Sequence, residues 1–380
     1  ATPLPSRSFP SRPERGLMKR MVTPPVPSPQ PTVPASAPRN IGIDLARGLA
    51  VLFMIQTHAL DGWISAADKV TLSYRFTRIF SNIPAPVFLL LAGVGLAMGS
   101  HSSLRRGQPP TSVRQNLLRR GLEVLAYGYL VSLCYSLIEG QLSLSVLLRV
   151  DILHCIGLSL MLCSVVLVGR VHAARRALGL PLLALTLGLL LPRLLPLLPS
   201  NLPSLTLLPA ALLIDVAPYT RFPLLPLCGF TALGFYLGLQ LVKQMPTLKQ
   251  ALLVGALALA LVWPLQLATS ATVLALGGKL SRAHPAVVWN FMEGCCRAVA
   301  TLYLSLAASR ILEQRHLTQS PLLTWLLRLG RGSLLAYAIH IPLCYGRLAK
   351  PIAQQLSMPA GCGLLLLLTG FTYLVVWGRD

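Results

Sequence analysis

Long runs of apolar residues alternate with short breaks of proline, glycine and basic residues along the chain after residue 40. Each run approaches the roughly 20 residues that a helix needs to cross the hydrocarbon core of a bilayer. Alternating segments of about ten residues, which a membrane β-barrel would require, are not visible. The pattern therefore predicts an all-α, polytopic transmembrane helical bundle of about ten spans, with a range of roughly 9–11. The predicted spans are 41–60, 79–99, 121–138, 150–169, 177–198, 223–242, 249–268, 286–309, 332–347 and 360–377.

Three segments fall outside these spans. Residues 1–40 contain eleven prolines and six basic residues, a composition that predicts a disordered cytoplasmic tail, and no apolar signal-peptide core is visible there. Residues 200–222 are predicted to form an extracytoplasmic loop with a partly buried segment, and 321–329 a short helix in the membrane interface. We expect residues 41–380 to form a single transmembrane domain.

Composition indicates the same class of protein. Hydrophobic residues make up 54% of the chain and charged residues only 12%, about half the charged share of a soluble domain. In a soluble chain the net charge of +22 would suggest a nucleic-acid partner, but cytoplasmic loops of membrane proteins also collect Lys and Arg. With the N-terminus inside, the predicted inner segments hold 21 of these residues and the outer segments hold 10. We therefore expect both termini in the cytoplasm and no nucleic-acid partner.

The eight cysteines lie almost entirely in apolar segments, without a CxxC spacing or a cluster of histidine and cysteine ligands. This distribution is typical of small buried apolar residues, so we expect neither disulfides nor a metal site. Any chemistry is therefore expected from the ionisable side chains inside the predicted spans.

The first predicted span, IDLARGLAVLFMIQTHALDGW, carries four ionisable residues: Asp44, Arg47, His58 and Asp61. On a helix, Arg47 and His58 differ by only about 20° in direction and about 16 Å along the axis. Asp44 and Asp61 fall within about 60° and 40° of Arg47, so all four residues share one face. Because a charge near the bilayer centre costs about 2.5 to 3.5 kcal/mol, this face must line a polar cavity or carry strong ion pairs.

Three other predicted spans carry polar residues on one face: at the outer end of the fourth span, in the outer half of the eighth, and along the ninth, where His340 lies beyond mid-membrane on the outward side. These residues are Asp151 and His154 in RVDILHCIGL, Asn290, Glu293 and Arg297 in VWNFMEGCCRAVA, and Ser333, Tyr337 and His340 in GRGSLLAYAIHIPL. We expect them to meet the first span around one outward-opening cavity. Structural roles are the alternative, with Asp151 as a helix cap and Glu293 neutralising Arg297.

Histidine, carboxylates and a buried arginine are the groups that proton transfer and the stabilisation of a developing anion require. An enzyme and a proton-coupled transporter or flippase would use the same groups, so these residues alone leave both functions open. A third possible function is that of a catalytically inactive protein that serves as an interaction scaffold.

Several further segments have a characteristic order and spacing. Besides the Arg47-x10-His58 spacing, they are PAPVFLLLAGVGLAM (84–98), LRRGLEVLAYGYLVSL (118–133), RVDILHCIGLSLML (149–162), RFPLLPLCGFTALGFYLG (221–238) and LGRGSLLAYAIHIPL (329–343). The series resembles the heparan-α-glucosaminide N-acetyltransferase catalytic-domain family, which are transmembrane acyl-CoA-dependent acyltransferases. This resemblance implies transfer of an acyl group, usually acetyl, from cytoplasmic acyl-CoA to an amine or hydroxyl of a glycan on the far side. The sequence lacks the large lumenal portion of the lysosomal enzyme, so we expect a bacterial member in the cytoplasmic membrane with another acceptor.

The resemblance also implies roles for residues. His58 matches the first-span histidine of these acyltransferases, and we expect it to act as a general base or transient acyl carrier with Asp61, Asp151 and His154 as catalytic partners. The residues expected to bind acetyl-CoA or the acceptor are Asp44, Arg47, Arg119, Arg120, Asn290, Glu293, Arg297, Tyr337 and His340. Arginines 119 and 120 would hold the coenzyme phosphates, or else only set the topology. The acyl chain length, N- or O-acylation, and the choice between monomer and homodimer stay open.

Overall fold

The structure is a computed structural model that describes residue 2 and residues 40–140, 142–194, 207–216, 219–276 and 285–379. The tail predicted at residues 1–40 lies almost entirely outside the described residues, as do parts of the loop predicted at 200–222. The described residues after position 39 pack as one unit.

The described residues form α-helices joined by short loops, and they contain no β-strand. In chain order the helices are α1 (Ile41–Trp63), α2 (Leu72–Arg78), α3 (Pro84–Arg105), α4 (Pro110–Glu139), α5 (Leu144–Leu147), α6 (Ile152–Leu167), α7 (Ala173–Leu194), α8 (Leu208–Leu213), α9 (Leu224–Lys243), α10 (Leu248–Leu276), α11 (Val287–Gln314), α12 (Pro321–Arg331), α13 (Ser333–Cys344) and α14 (Met358–Arg379). Two isolated bridges, Ile64 with Leu356 and Val150 with Thr220, tie loops together.

The all-helical fold predicted from the hydropathy pattern is confirmed, and the chain is a multi-pass membrane protein. In the described part of the chain, eight helices are long and apolar enough to cross a membrane: α1, α3, α4, α7, α9, α10, α11 and α14. The spans predicted at 150–169 and 332–347 correspond to α6 and α13, which are apolar but have only 16 and 12 residues. The short helix predicted at 321–329 is present as α12, and α8 lies in the segment predicted as a loop.

The bundle has inner and outer helices. In α1 and α9, 61% and 67% of the most apolar stretch is buried, against 17% in α7 and 22% in α10. Val51, Ile55 and Trp63 of α1 belong to a core cluster that also contains Phe230 of α9 and Leu329 of α12. The outer faces of α4, α10 and α14 carry exposed leucines, which suits contact with lipid tails. Polar residues on α1 must therefore find their partners inside the bundle.

The inner helices α3 and α9 cross at close range because each presents a glycine to the other. A Cβ added to Gly93 would overlap the carbonyl oxygen of Thr231, and a Cβ added to Gly234 would overlap that of Leu90. Neither backbone can yield without moving a whole helix. Small residues at such crossings allow the dense packing that associates helices in lipid, so this pair sets the separation of two inner helices.

Gly93→Ala is expected to destabilise the protein by about 2 kcal/mol, because the added methyl group meets backbone rather than a flexible side chain. Gly99→Ala is the matched control, since Gly99 lies on the same helix with open space around its Cβ position. Thermal unfolding of the purified protein in detergent, followed by tryptophan fluorescence, gives both midpoints. Equal midpoints for the two variants would contradict the close crossing.

Glu293 and Arg297 form a buried ion pair on α11. Glu293 Oε1 lies 2.8 Å from Arg297 Nε and 2.6 Å from Nη2, and the two side chains are only 4% and 6% exposed. Arg297 Nη1 also donates to the carbonyl oxygen of Ile79 at 2.7 Å, which ties α11 to the loop before α3. Both charges are thus satisfied within the protein, and this is the structural alternative that the i, i+4 spacing allowed.

Glu293→Ala is expected to cost about 3 kcal/mol or more of stability, because it leaves the Arg297 guanidinium buried without its counter-charge. Replacing both residues by methionine should recover part of this loss, since no unpaired charge then remains. Chemical denaturation of the single and double variants in detergent measures the difference. If Glu293→Ala is as stable as the parent protein, the ion pair does not contribute to stability.

Candidate active site

One cavity of about 990 Å³ runs along the inner face of α1. From Arg47 to Asp61, which both line it, α1 advances about 21 Å, so the cavity reaches through much of the bundle. Apolar residues such as Phe88 and Leu91 line its middle. The cavity thus has two polar ends joined by an apolar passage. The arginine end is formed by Arg47, Arg120, Arg331 and Arg379, and the histidine end by His58, Asp61, Arg149, Asp151, Arg221, Tyr337 and Tyr345.

Asp44 orders two arginines at the arginine end. Its carboxylate lies 3.2 Å from Arg47 Nη1 and 3.6 Å from Arg331 Nε, and Asp44 itself is buried. Arg331 reaches this position because α12 packs closely on α1 at Gly330, where an added Cβ would lie 2.6 Å from the Asp44 carbonyl oxygen. Two guanidinium groups on one carboxylate leave this trio with a positive charge toward the cavity.

Arg120 and Arg379 complete the arginine end from two other helices. Arg120 lies in the first half of α4, 3.4 Å from Glu123. Arg119 shares that partner at 3.3 Å, but its side chain is 82% exposed and does not line the cavity. α14 begins beside Asp68, at the opposite end of the bundle, and returns to the arginine end with Arg379.

His58 and His340 form a direct hydrogen bond at the histidine end. His58 Nδ1 lies 2.8 Å from His340 Nε2, and the two rings are parallel with centroids 5.1 Å apart. His340 Nδ1 lies 2.8 Å from the carbonyl oxygen of Ala336, which can only accept, so this nitrogen carries a proton. With both rings neutral, His340 Nε2 then accepts the proton of His58 Nδ1. The other ring nitrogen of His58, Nε2, therefore keeps its lone pair.

Asp61 is bound by groups other than His58. Tyr345 donates its hydroxyl to Asp61 Oδ2 at 3.2 Å, and Lys69 Nζ and Arg78 Nη1 lie 3.9 Å and 3.7 Å from Oδ1. A tyrosine phenol is protonated near neutral pH, so Tyr345 can donate to this carboxylate. Tyr345 also packs edge-on against His58, with ring centroids 5.7 Å apart. Asp61 is therefore linked to His58 by way of Tyr345, which donates to Asp61 and packs against the His58 ring.

Asp151 caps α6 and faces Tyr337. Its Oδ1 accepts from the backbone N–H of Ile152 at 2.8 Å, and its Oδ2 accepts from the Tyr337 hydroxyl at 2.6 Å. His154 completes the cap, because its Nδ1 accepts from the backbone N–H of Asp151 at 3.1 Å. His154 is fully buried against Tyr129 and does not line the cavity. Asp151 thus both caps α6 and lines the cavity, whereas His154 takes part in the cap and lies away from the cavity.

Arg149 and Arg221 reach the histidine end from two loops joined by a parallel bridge. The Val150 N–H donates to the Tyr219 carbonyl at 2.6 Å, and the Arg221 N–H donates to the Val150 carbonyl at 2.9 Å. Successive side chains of extended segments point to opposite faces, so Val150 is buried while Arg149 and Arg221 line the cavity. Burial, and then the nearby Arg221, lower the pKa of Arg149, but a guanidinium remains protonated in proteins.

The structure brings part of the predicted site together. The predicted residues that line the cavity are Arg47, His58, Asp61, Arg120, Asp151 and Tyr337, and His340 contacts His58 directly. The predicted residues that do not line it are Asp44, Arg119, His154, Asn290, Glu293 and Arg297. Asp44 contacts two arginines that line the cavity, His154 caps α6, and Glu293 and Arg297 pair with each other while Arg297 also binds the Ile79 carbonyl.

Several cavity residues were not among the predicted site residues: Arg149, Arg221, Arg331, Arg379 and Tyr345. In the sequence their arginines look like ordinary loop charges that set topology. The Arg-Val-Asp alternation at 149–151 is a usable local signal, because an extended segment puts its first and third side chains on one face. The other residues come from distant segments, and no local pattern marks them.

The cavity combines an arginine-rich end with a basic imidazole nitrogen at the other. Arginine guanidinium groups match phosphate oxygens in geometry and charge, and a neutral imidazole can take a proton during acyl transfer. Among the described residues, no group of three or more His, Cys, Asp or Glu side chains is placed to hold a metal ion.

A family model, the catalytic domain of heparan-alpha-glucosaminide N-acetyltransferase, matches residues 39–280 of the 380-residue chain. A comparison with curated proteins finds no match. The matched segment spans α1 to α10 and includes Arg47, His58 and Asp151, whereas His340 lies beyond it. Since the match covers more than half of the chain, the protein belongs to the heparan-alpha-glucosaminide N-acetyltransferase catalytic family, whose members are in general membrane acetyltransferases with acetyl-CoA as the donor.

Proposed function

We propose that this protein transfers an acetyl group from cytoplasmic acetyl-CoA to an amine or hydroxyl of a sugar on the extracytoplasmic side of the membrane. The observation that carries the proposal is one continuous cavity, which joins four arginines at one end to His58 at the other. Acetyl-CoA matches this layout, since its anionic phosphates and its thioester lie at opposite ends of an elongated molecule. The functional unit would be residues 41–380, with the proline-rich segment before it as a cytoplasmic tail.

The orientation follows from the basic loops. If both termini are cytoplasmic, the arginine end of the cavity faces the coenzyme pool, in agreement with the excess of Lys and Arg in the same loops. The histidine end then opens to the outside, where a sugar acceptor would arrive. The membrane would be the cytoplasmic membrane of a bacterium.

The arginine end would bind the coenzyme phosphates through charge-assisted, bidentate hydrogen bonds. Arg47 and Arg331 both contact Asp44, and Arg120 contacts Glu123, so these guanidinium groups are ordered before the coenzyme binds. Such preorganisation lowers the entropy cost of binding. The apolar passage would surround the pantetheine arm and exclude water from the thioester.

His58 Nε2 would accept the proton of the acceptor amine or hydroxyl while the nucleophile attacks the thioester carbonyl carbon. When the C–S bond breaks, the coenzyme thiolate takes this proton, so the products are an N- or O-acetylated sugar and free CoA. His340 is the positioning residue, because its Nε2 accepts from His58 Nδ1 and this bond strengthens when His58 is briefly cationic. An acetylated His58 would use the same lone pair, and trapping of labelled protein in a single turnover separates the two routes.

His58→Ala is expected to lower acetyl transfer by about 100-fold or more, because the substitution removes the general base. The assay uses radiolabelled acetyl-CoA and a panel of amino sugars with the purified protein, and it measures both labelled product and free CoA. His101→Ala is the control, since His101 lies on α3 away from the cavity lining. His340→Phe should lower kcat and leave the KM for acetyl-CoA unchanged, because it removes the acceptor for His58 Nδ1 at the histidine end and leaves the arginine end unaltered.

Two outcomes would contradict the proposal at different levels. Full activity in His58→Ala would reject His58 as the general base. The lack of any CoA-dependent transfer or hydrolysis, together with proton-coupled uptake of a solute into vesicles that contain the protein, would reject the enzyme. The latter result would favour the transporter or flippase that the same ionisable groups allow.

Arg120→Gln is expected to raise the KM for acetyl-CoA about tenfold, because one charge-assisted hydrogen bond to a phosphate is lost. Arg119→Gln is a closely matched control: the residues are adjacent, both contact Glu123, and only Arg120 lines the cavity. Initial rates over a range of acetyl-CoA concentrations give both constants. An equal rise in both variants would mean that only the overall charge of this surface matters.

A further inference from the structure

We propose that six arginines at the ends of α3, α4, α6 and α7 form a surface that binds the phosphate headgroups of anionic phospholipids. The members of this headgroup surface are Arg105, Arg106, Arg114, Arg170, Arg175 and Arg176. None of them lines the cavity. The inference therefore stands apart from the proposed function, since the lipid takes no part in the reaction.

One apolar cluster holds these four helix ends together. Its buried and partly buried members come from the end of α3, the start of α4, the end of α6 and the start of α7, and include Leu104, Val113, Leu117, Leu167, Val168, Ala173 and Ala177. At the turn between α6 and α7, a Cβ added to Gly169 would lie 2.7 Å from the Cβ of Pro110, the first residue of α4. Arginines from two separate segments of the sequence therefore lie together at one end of the bundle.

This end of the bundle is strongly positive. Residues 99–122 and 167–178 contain eight arginines and neither Asp nor Glu. The acid that follows the first segment, Glu123, pairs with Arg119 and Arg120, which are not members of the headgroup surface. Within the described residues, no ion pair joins a member of this surface to a carboxylate. Such a patch attracts anionic headgroups when it lies beside a membrane.

Hydrogen bonds order two of the guanidinium groups without neutralising them. Arg106 donates to the hydroxyls of Ser102 and Ser103 at 2.7 Å and 3.2 Å. Arg114 donates through Nε to the carbonyl oxygen of Pro110 at 3.3 Å. Because a guanidinium has five N–H donors, each group keeps donors for the oxygens of a phosphate. Charge-assisted bonds of this kind are the stronger ones that arginine makes.

Exposed apolar residues place the surface at the depth of the headgroups. Arg170 folds back so that its Nε donates to the carbonyl oxygen of Val165 at 3.2 Å, and Val165 is itself an exposed apolar residue. Val171, at the turn, is 74% exposed. About 4.5 Å along the helix from Arg175, Leu178 begins a series of exposed leucines on α7 that suits contact with lipid tails. The arginines thus lie where the apolar belt meets water, which is the level of the lipid phosphates.

Arg175 and Arg176 do not stabilise the helix in which they lie. They are the third and fourth residues of α7, whose first turn contains no acidic residue. The first turn of a helix carries a partial positive charge, so two arginines there are unfavourable unless an anion lies beside them. A lipid phosphate would remove this repulsion, and the neighbouring Val171 and Leu178 would contact its acyl chains, which a free phosphate lacks.

The test measures the thermal unfolding midpoint of the full chain in detergent, by tryptophan fluorescence, during titration with short-chain phosphatidylglycerol. In the parent protein, an excess of this lipid should raise the midpoint by about 2–4 °C, because the lipid binds the folded state. The double variant Arg175→Gln/Arg176→Gln should need about tenfold more lipid, or more still, for the same rise. Replacing both residues by lysine should keep most of the response, because the charge is retained.

Three controls define the ligand and the surface. Phosphatidylcholine with the same chains has no net charge, and glycerol 1-phosphate has the anion without chains, so each should give a much smaller rise than phosphatidylglycerol. The double variant Lys243→Gln/Lys249→Gln removes two exposed basic residues beside the loop between α9 and α10. It should respond to phosphatidylglycerol as the parent protein does.

Four results would overturn the proposal. An equal response to phosphatidylcholine would leave the acyl chains as the only part that binds. An equal response to glycerol 1-phosphate would indicate a site for free anions. An equal loss of affinity in the arginine and lysine double variants would mean that only the overall charge matters. An unchanged response in Arg175→Gln/Arg176→Gln would place the lipid elsewhere.

Discussion

A polar or charged group inside a lipid-embedded bundle needs a partner within the protein, and this constraint places α1. Its ionisable residues are met from different parts of the chain: Asp44 by Arg331 of α12, His58 by His340 of α13, and Asp61 by Arg78 of α2 and by Tyr345. Apolar contacts choose weakly among the faces of a helix in lipid, because the tails are as apolar as leucine. The polar contacts therefore decide which face of α1 points inward, and the cavity lies along that face.

Close backbone approach keeps those partners at the right depth. α12 contacts α1 at Gly330, beside the Asp44–Arg331 pair, and at Gly62 an added Cβ would overlap the carbonyl oxygen of Cys344, at the end of α13. These two contacts lie at opposite ends of the cavity. Because both join backbone to backbone, the distance between the arginine end and the histidine end is set by helices rather than by loops, which is the more precise support for a reacting site.

Local signals explain what could be predicted from the sequence. Hydropathy and the helical period predicted the apolar helices and the common face of Arg47 and His58, because both depend only on nearby residues. The same period was ambiguous for Glu293 and Arg297, since an i, i+4 spacing suits a mutual ion pair as well as a shared cavity wall. Only the helices around α11 decide between these readings.

Long-range contacts account for the rest of the site. His58 and His340 are 282 residues apart in the chain, and neither residue's neighbours specify that the two rings meet. The bridge that brings Arg221 beside Arg149 also joins loops that are distant in sequence. Such contacts depend on how whole helices pack, which a hydropathy pattern does not encode.

The two polar ends are each assembled from both parts of the chain. The family match ends at residue 280. Beyond it, α12 provides Arg331, which contacts Asp44, and α13 provides His340, which contacts His58. Without these helices the buried Asp44 would lose one of its two arginines, and His58 would lose the fully buried His340, so the N-terminal and C-terminal parts of the described chain depend on one another. Family membership therefore accounts for acetyl transfer in general, whereas the contact that orients His58 comes from His340 of α13, which lies outside the matched segment.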